Sequence, residues 1–128
     1  MPKGIRKLSI HERRKMIYAI DFDGTLCEEA YPKIGRVKMD AKKFVSGLHA
    51  RGDKWILLTM REGAFLWDAV QWLKSNGFPM PDAVNDNLPE KKAMFGENPR
   101  KIYADVYIDD HNAGGLSIPE TVRGVQND

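Results

Sequence analysis

Asp21-Phe22-Asp23-Gly24-Thr25-Leu26 follows directly on the apolar run Met16-Ile17-Tyr18-Ala19-Ile20, and this junction decides how the rest of the chain reads. A short run that is almost continuously apolar and rich in β-branched or aromatic residues has the signature of a strand covered on both faces. Two carboxylates one residue apart then arrive where the chain leaves the extended form, so both side chains can lie over the strand end. Gly24 permits a sharp exit from it. One carboxylate can attack while the other holds or releases a proton, which suits phosphoryl transfer through an aspartyl-phosphate.

Working outward, Lys54-Trp55-Ile56-Leu57-Leu58-Thr59 and Ala104-Asp105-Val106-Tyr107-Ile108 read as two further buried strands. Between the first two, Asp40 is placed as an N-cap, Phe44, Val45 and Leu48 share one face, and Gly52 is a stop signal. Residues 63–76 repeat apolar side chains at Phe65, Leu66, Ala69, Val70 and Leu73 before Asn76-Gly77 ends the helix. Trp55, Trp67 and Trp72 fall in these apolar elements and read as core. Strand alternating with helix predicts an α/β fold: one small Rossmann-like parallel sheet flanked by helices. Ala83-Val84-Asn85 reads as a short strand, Pro89 to Phe95 as a brief helix, and Asn98-Pro99 as the start of another.

In such a sheet ligands bind at the carboxyl ends of the strands. Thr59, with Arg61 just beyond, follows the second strand, and Asp109-Asp110-His111 follows the third. Four carboxylates from two distant segments therefore meet at one edge. That density of negative charge calls for a divalent cation, and an all-oxygen donor set favours magnesium.

The hexapeptide at 21–26 resembles the first signature of the haloacid dehalogenase (HAD) superfamily of phosphatases. Thr59 resembles its second motif and Asp109-Asp110 its fourth, so the resemblance covers about residues 16–112. It implies that Asp21 is the nucleophile and a magnesium ligand. It implies that Asp23 is the acid/base, its backbone carbonyl also on the metal, and that Thr59 bonds a phosphate oxygen. It further implies that Asp109 and Asp110 complete the metal site and that Gly24 lies against the substrate. The third motif requires a lysine. Lys91, Lys92 and Lys101 are the candidates, and Lys101 is preferred if 98–104 forms a short helix descending from the active edge. Arg61 reads either as a bidentate phosphate clamp or as half of a surface ion pair. Cys27 and His111 read as bystanders.

The resemblance is to short, capless hydrolases of bacteria and their viruses, shared also in Tyr31-Pro32-Lys33-Ile34-Gly35. Thirty-five residues separate Asp23 from Thr59 and 49 separate Thr59 from Asp109, too few in either interval for a folded cap. The implied activity is a magnesium-dependent phosphatase acting on phosphate monoesters, its substrate a small phosphorylated metabolite or nucleotide. A nucleic-acid end or a phosphoprotein is the alternative. A receiver-type signalling domain places its acidic pair after the first strand, the reverse of the order here, and a silent HAD-fold binding module would not need the full set of catalytic types.

Composition narrows the class. The 128 residues carry a net charge of +2 and 42% hydrophobic residues, values of a globular domain rather than a disordered chain. No apolar run approaches the roughly 20 residues of a membrane span. The single cysteine excludes a disulfide framework and suits a reducing, cytoplasmic setting. Residues 1–15 hold six basic residues against Glu12 alone, leaving a net of −3 on the rest. This basic extension, set before a core of residues 16–128, lacks the interleaved aromatics of a nucleic-acid surface. An open, capless edge also predicts a homo-oligomer in which a second subunit supplies a wall.

Overall fold

The computed structural model describes residues 15–95 and 102–110. Four strands form one parallel sheet: β1 (Ile17–Asp21), β2 (Lys54–Leu58), β3 (Ala83–Val84) and β4 (Val106–Ile108), in the order β3-β2-β1-β4. Helix α1 (Met39–Ala50) links β1 to β2, α2 (Gly63–Ser75) links β2 to β3, and α3 (Pro89–Phe95) follows β3. The fold is α/β, as the alternation of apolar runs requires.

Strand side chains alternate between two cores. Tyr18, Ile20, Trp55, Leu57, Val106 and Ile108 face one way, against Phe44, Val45 and Leu48 of α1 and Ala69 and Leu73 of α2. Ile17, Ala19 and Ile56 face the other way with Leu88 and Ala104. The chain steps outward from β1 to β2 to β3, then returns across the sheet to β4 on the far side of β1. The direction of winding thus reverses between β1 and β4. Outside that point, at the carboxyl ends, an α/β sheet leaves a crevice uncovered by crossovers.

Three local expectations need correction. Asp40 is not the N-cap of α1. Lys38 takes that position, its amide bonded to the Leu26 carbonyl at 3.1 Å, so the helix starts at Met39 and Asp40 sits in its first turn. There its charge opposes the positive end of the helix dipole. Trp67 is 64% exposed rather than core; at 100° per residue it lies about 200° around α2 from Ala69, whose side chain faces the sheet. Residues 102–104 are not helical, and β4 is only three residues long. Just before it, Asp105 joins β1 through backbone and side chain: its amide donates to the Ile17 carbonyl at 2.8 Å, and its carboxylate accepts from the Ile17 amide at 2.8 Å and from the Tyr103 hydroxyl at 2.8 Å.

Neither interval that would hold a cap contains a further domain among the described residues. The first holds a loop, α1 and β2, and the second α2, β3, α3 and β4. None of the described helices is long and apolar enough to cross a membrane.

Candidate active site

Sheet register builds the site. Asp21 is paired with Leu58, which puts Thr59 one residue past it, and Ile20 is paired with Ile108, which brings Asp109 alongside. A cavity of about 480 Å³ opens there, with Asp21, Asp23, Thr59, Arg61 and Asp110 among its lining residues. Asp109 lines an adjoining hollow with Asp21. Residues from three loops separated by dozens of positions thus converge at the winding reversal.

The carboxylates act on one another. Burial raises the pKa of Asp21 from 3.8 to about 6, and the negative charges of Asp110, Asp23 and Asp109 push in the same direction against a bond from the Phe22 amide. Asp21 is therefore the carboxyl whose ionised form is most disfavoured in the absence of a cation. Gly24, at φ +83°, takes a conformation that L side chains avoid, and a Cβ on it would collide with the Asp110 carboxylate. Its role is to let that carboxylate approach the 21–26 turn. The turn is closed by the amides of Thr25 and Leu26 on the Phe22 carbonyl at 3.1 and 2.9 Å.

Arg61 fits neither expected role. It is 1% exposed, so it is not a surface residue. Its Nε and one terminal nitrogen donate to the two oxygens of Asp23, each at 2.8 Å, and its remaining bonds go to the carbonyls of Pro32 (3.2 Å) and Lys33 (3.0 Å). The guanidinium also lies over the rings of Phe22 (5.3 Å) and Tyr31 (4.9 Å). The Asp23 bonds hold its pKa above the ordinary arginine value. With these donors committed, Arg61 locks Asp23 and the 31–33 loop in place and cannot double as a bidentate phosphate clamp.

Thr59 is set by a residue that the sequence reading missed. Asn85, in the left-handed region at φ 49°, accepts the Thr59 amide on its side-chain oxygen at 2.8 Å. The Thr59 hydroxyl accepts from the Arg61 amide at 3.0 Å, leaving its own hydrogen to donate into the cavity. Lys38 was missed as well: its ammonium donates to the Gly24 carbonyl at 3.0 Å, beside the turn. An Asn straight after a short strand is the signal for the first; nothing local marks the second.

The candidate lysines divide. Lys92 is drawn to Asp86 at 2.5 Å, a bond that lowers the Asp86 pKa, and the Lys91 ammonium lies over the Tyr103 ring at 4.7 Å. Lys101 and His111 lie outside the described residues, as do residues 1–14 of the basic arm at 1–15. Cys27 is buried, and burial pushes its thiol up to about 11, so it is protonated at neutral pH. Among the described residues no three His, Cys, Asp or Glu side chains already converge on a common metal position. The chemistry of the set still fits magnesium. The donors are hard oxygens, one or two carboxylates are all that the ion commonly takes from a protein, and the raised pKa of Asp21 marks charge that a cation would offset.

A solved structure of a conserved protein from Bacteroides thetaiotaomicron is similar to this chain, with 36% identity over 84% of each chain and a TM-score of 0.69. The chain belongs to that protein's family. Identity at this level over most of both chains extends beyond shared architecture to the residues that build it. No protein-family model matches the chain, and no curated protein does.

Proposed function

We propose that the protein is a phosphatase of the HAD type, hydrolysing phosphate monoesters through a phosphorylated Asp21. The observation that supports this best is the register that sets Asp21 between Thr59 and Asp109, with Asp110 closing over the turn at Gly24. An Asp21 oxygen attacks phosphorus, the bond from phosphorus to the ester oxygen breaks, and the leaving oxygen takes a proton from Asp23. Water then attacks phosphorus and gives its proton to Asp23, the bond to Asp21 breaks, and inorganic phosphate leaves. Arg61 occupies one acceptor direction on each Asp23 oxygen, and the remaining lone pairs carry the proton. The Thr59 hydroxyl donates to a phosphoryl oxygen where charge develops. Asp21, Asp109 and Asp110, with the Asp23 carbonyl, would hold magnesium, which supplies charge neutralisation for the phosphoryl group. Lys101 is proposed as the cation beside the nucleophile. The one thiol of the chain, Cys27, is unpaired, in keeping with a cytoplasmic setting.

Release of p-nitrophenol from p-nitrophenyl phosphate, with magnesium and with excess chelator, tests the reading on wild type and Asp21→Asn. Turnover should need the metal and fall by several orders of magnitude in the variant. An Asn variant that turns over at the wild-type rate removes the aspartyl-phosphate from consideration.

A further inference from the structure

Apolar side chains left in water are ordinary when scattered, but here two of them wall the cavity that holds the carboxylates. Met60 is 97% exposed and Tyr31 is 53% exposed, and both line that cavity. Tyr31 is held rather than loose. Its ring lies against the Arg61 guanidinium at 4.9 Å and against Phe65 at 5.8 Å, tilted by 57°, and its amide is bonded to Glu29 at 3.0 Å. Phe65 is itself 45% exposed, so the apolar surface continues outward from the rim. The loop carrying Tyr31 is pinned at both ends, by the Glu28 amide on Arg36 at 2.8 Å and the Lys38 amide on Leu26. Met60 is the adaptable partner: an unbranched thioether conforms to a flat ring and makes favourable sulfur–aromatic contacts.

Charge and volume limit what can lie there. Among the described residues, the polar side chains of the lining beyond Asp21 and Asp23 are Glu29, Asp110, Thr59 and Arg61, and the guanidinium is committed to Asp23 and two carbonyls. Glu29 would repel a second phosphate or a carboxylate on the substrate. A cavity of about 480 Å³ takes one small ligand.

We propose that this wall seats the alcohol part of the substrate, a flat aromatic or heteroaromatic ring, neutral or cationic, packed against the part of Tyr31 that Arg61 and Phe65 leave exposed and against Met60. The substrate class is thus a small, singly phosphorylated ring-bearing alcohol rather than a polyol phosphate, a diphosphate or a nucleic-acid end. The placing of its phosphate rests on the phosphatase reading above.

Two measurements separate the ring seat from that reading. In calorimetric titration with magnesium present, benzylphosphonate, which cannot be hydrolysed, should bind about 10-fold or more tighter than methylphosphonate. Met60→Ala and Tyr31→Leu should each cut that ratio at least about 3-fold, with folding checked by circular dichroism. In turnover, kcat/KM for benzyl phosphate should exceed that for glycerol 3-phosphate by about 10-fold; both are alkyl esters, which limits differences in leaving-group chemistry. Equal binding of the two phosphonates, or turnover of a 3′-phosphorylated oligonucleotide well above benzyl phosphate, overturns the ring seat. Selective benzylphosphonate binding that the variants lose, with no ester hydrolysed, supports the ring seat and refutes the phosphatase.

Discussion

Replacing Arg61 with Ala should be among the most damaging single changes in the protein. Its guanidinium is 1% exposed and makes two bonds to Asp23, whose side chain is 18% exposed, and two more to the carbonyls of Pro32 and Lys33. Truncation leaves those acceptors facing a hole and removes contacts with two aromatic rings. Breaking a buried pair by deleting one partner costs about 3–5 kcal/mol, and the partial solvation of Asp23 points to the lower half of that range. Unfolding entropy near 2.1 cal/mol/K per residue gives a 128-residue chain roughly 0.27 kcal/mol/K. A loss of about 3–4 kcal/mol therefore lowers Tm by roughly 11–15 °C. Urea unfolding followed by far-UV circular dichroism measures it, alongside Asp23→Asn and the double variant. The double variant should lose clearly less than the two single losses combined, since each single change strands the other partner. An Arg61→Ala protein within about 0.5 kcal/mol of wild type, or strictly additive losses, would refute the idea that Arg61 is a structural lock on Asp23.

Asp21→Asn should stabilise the chelator-treated protein, and only above mildly acidic pH. The folded pKa of about 6 lies above the ordinary 3.8, so ionisation favours the unfolded chain: no cost arises below 3.8, it grows from there to 6, and it is complete above 6. Two units at about 1.4 kcal/mol each set a ceiling near 3 kcal/mol, which partial solvent screening reduces to about 1–2; equal urea midpoints for variant and wild type at pH 7.5 would contradict it. Gly24→Ala should cost about 1–3 kcal/mol and displace Asp110, from the strained φ and the collision together, read as a lower Tm with weaker magnesium binding in calorimetry. Lys101→Ala should cut kcat by about two orders of magnitude and Lys92→Ala by less than about 3-fold, because Lys92 is engaged with Asp86; the opposite order in steady-state kinetics would move the third motif to Lys92.

The legible parts were those governed by local pattern. β1 and β2 are runs of apolar residues buried on both faces, α2 lies where periodicity and a stop signal put it, and α3 covers the expected Pro89–Phe95. The gathering of Asp21, Asp23, Thr59 and Asp110 was legible because each follows an apolar strand, and the carboxyl ends of parallel strands share one edge. Features with distant partners were not legible. Arg61 reaches Asp23 38 positions back, and nothing in Met60-Arg61-Glu62 marks a buried cation. The start of α1 is set by a bond from Lys38 to Leu26 across a loop, which overrides the capping preference of Asp40. β4 is only three residues long, and just before it the Asp105 carboxylate, rather than a backbone carbonyl, takes the Ile17 amide, a replacement that propensity does not register. Trp67 shows the limit of hydrophobicity as a guide to burial: α2 has one face to the sheet, and a large apolar residue on the other stays in water.

The central claim, a covalent phosphate on Asp21, is most directly tested by trapping it. Wild-type protein turning over an aryl phosphate with magnesium is quenched in acid within milliseconds, digested, and its peptides are weighed. The account predicts one added phosphoryl group on the peptide containing Asp21, labile to hydroxylamine as an acyl phosphate is, and absent from Asp21→Asn. Steady hydrolysis with no phosphoryl group on that peptide, or with one on another residue, would contradict it.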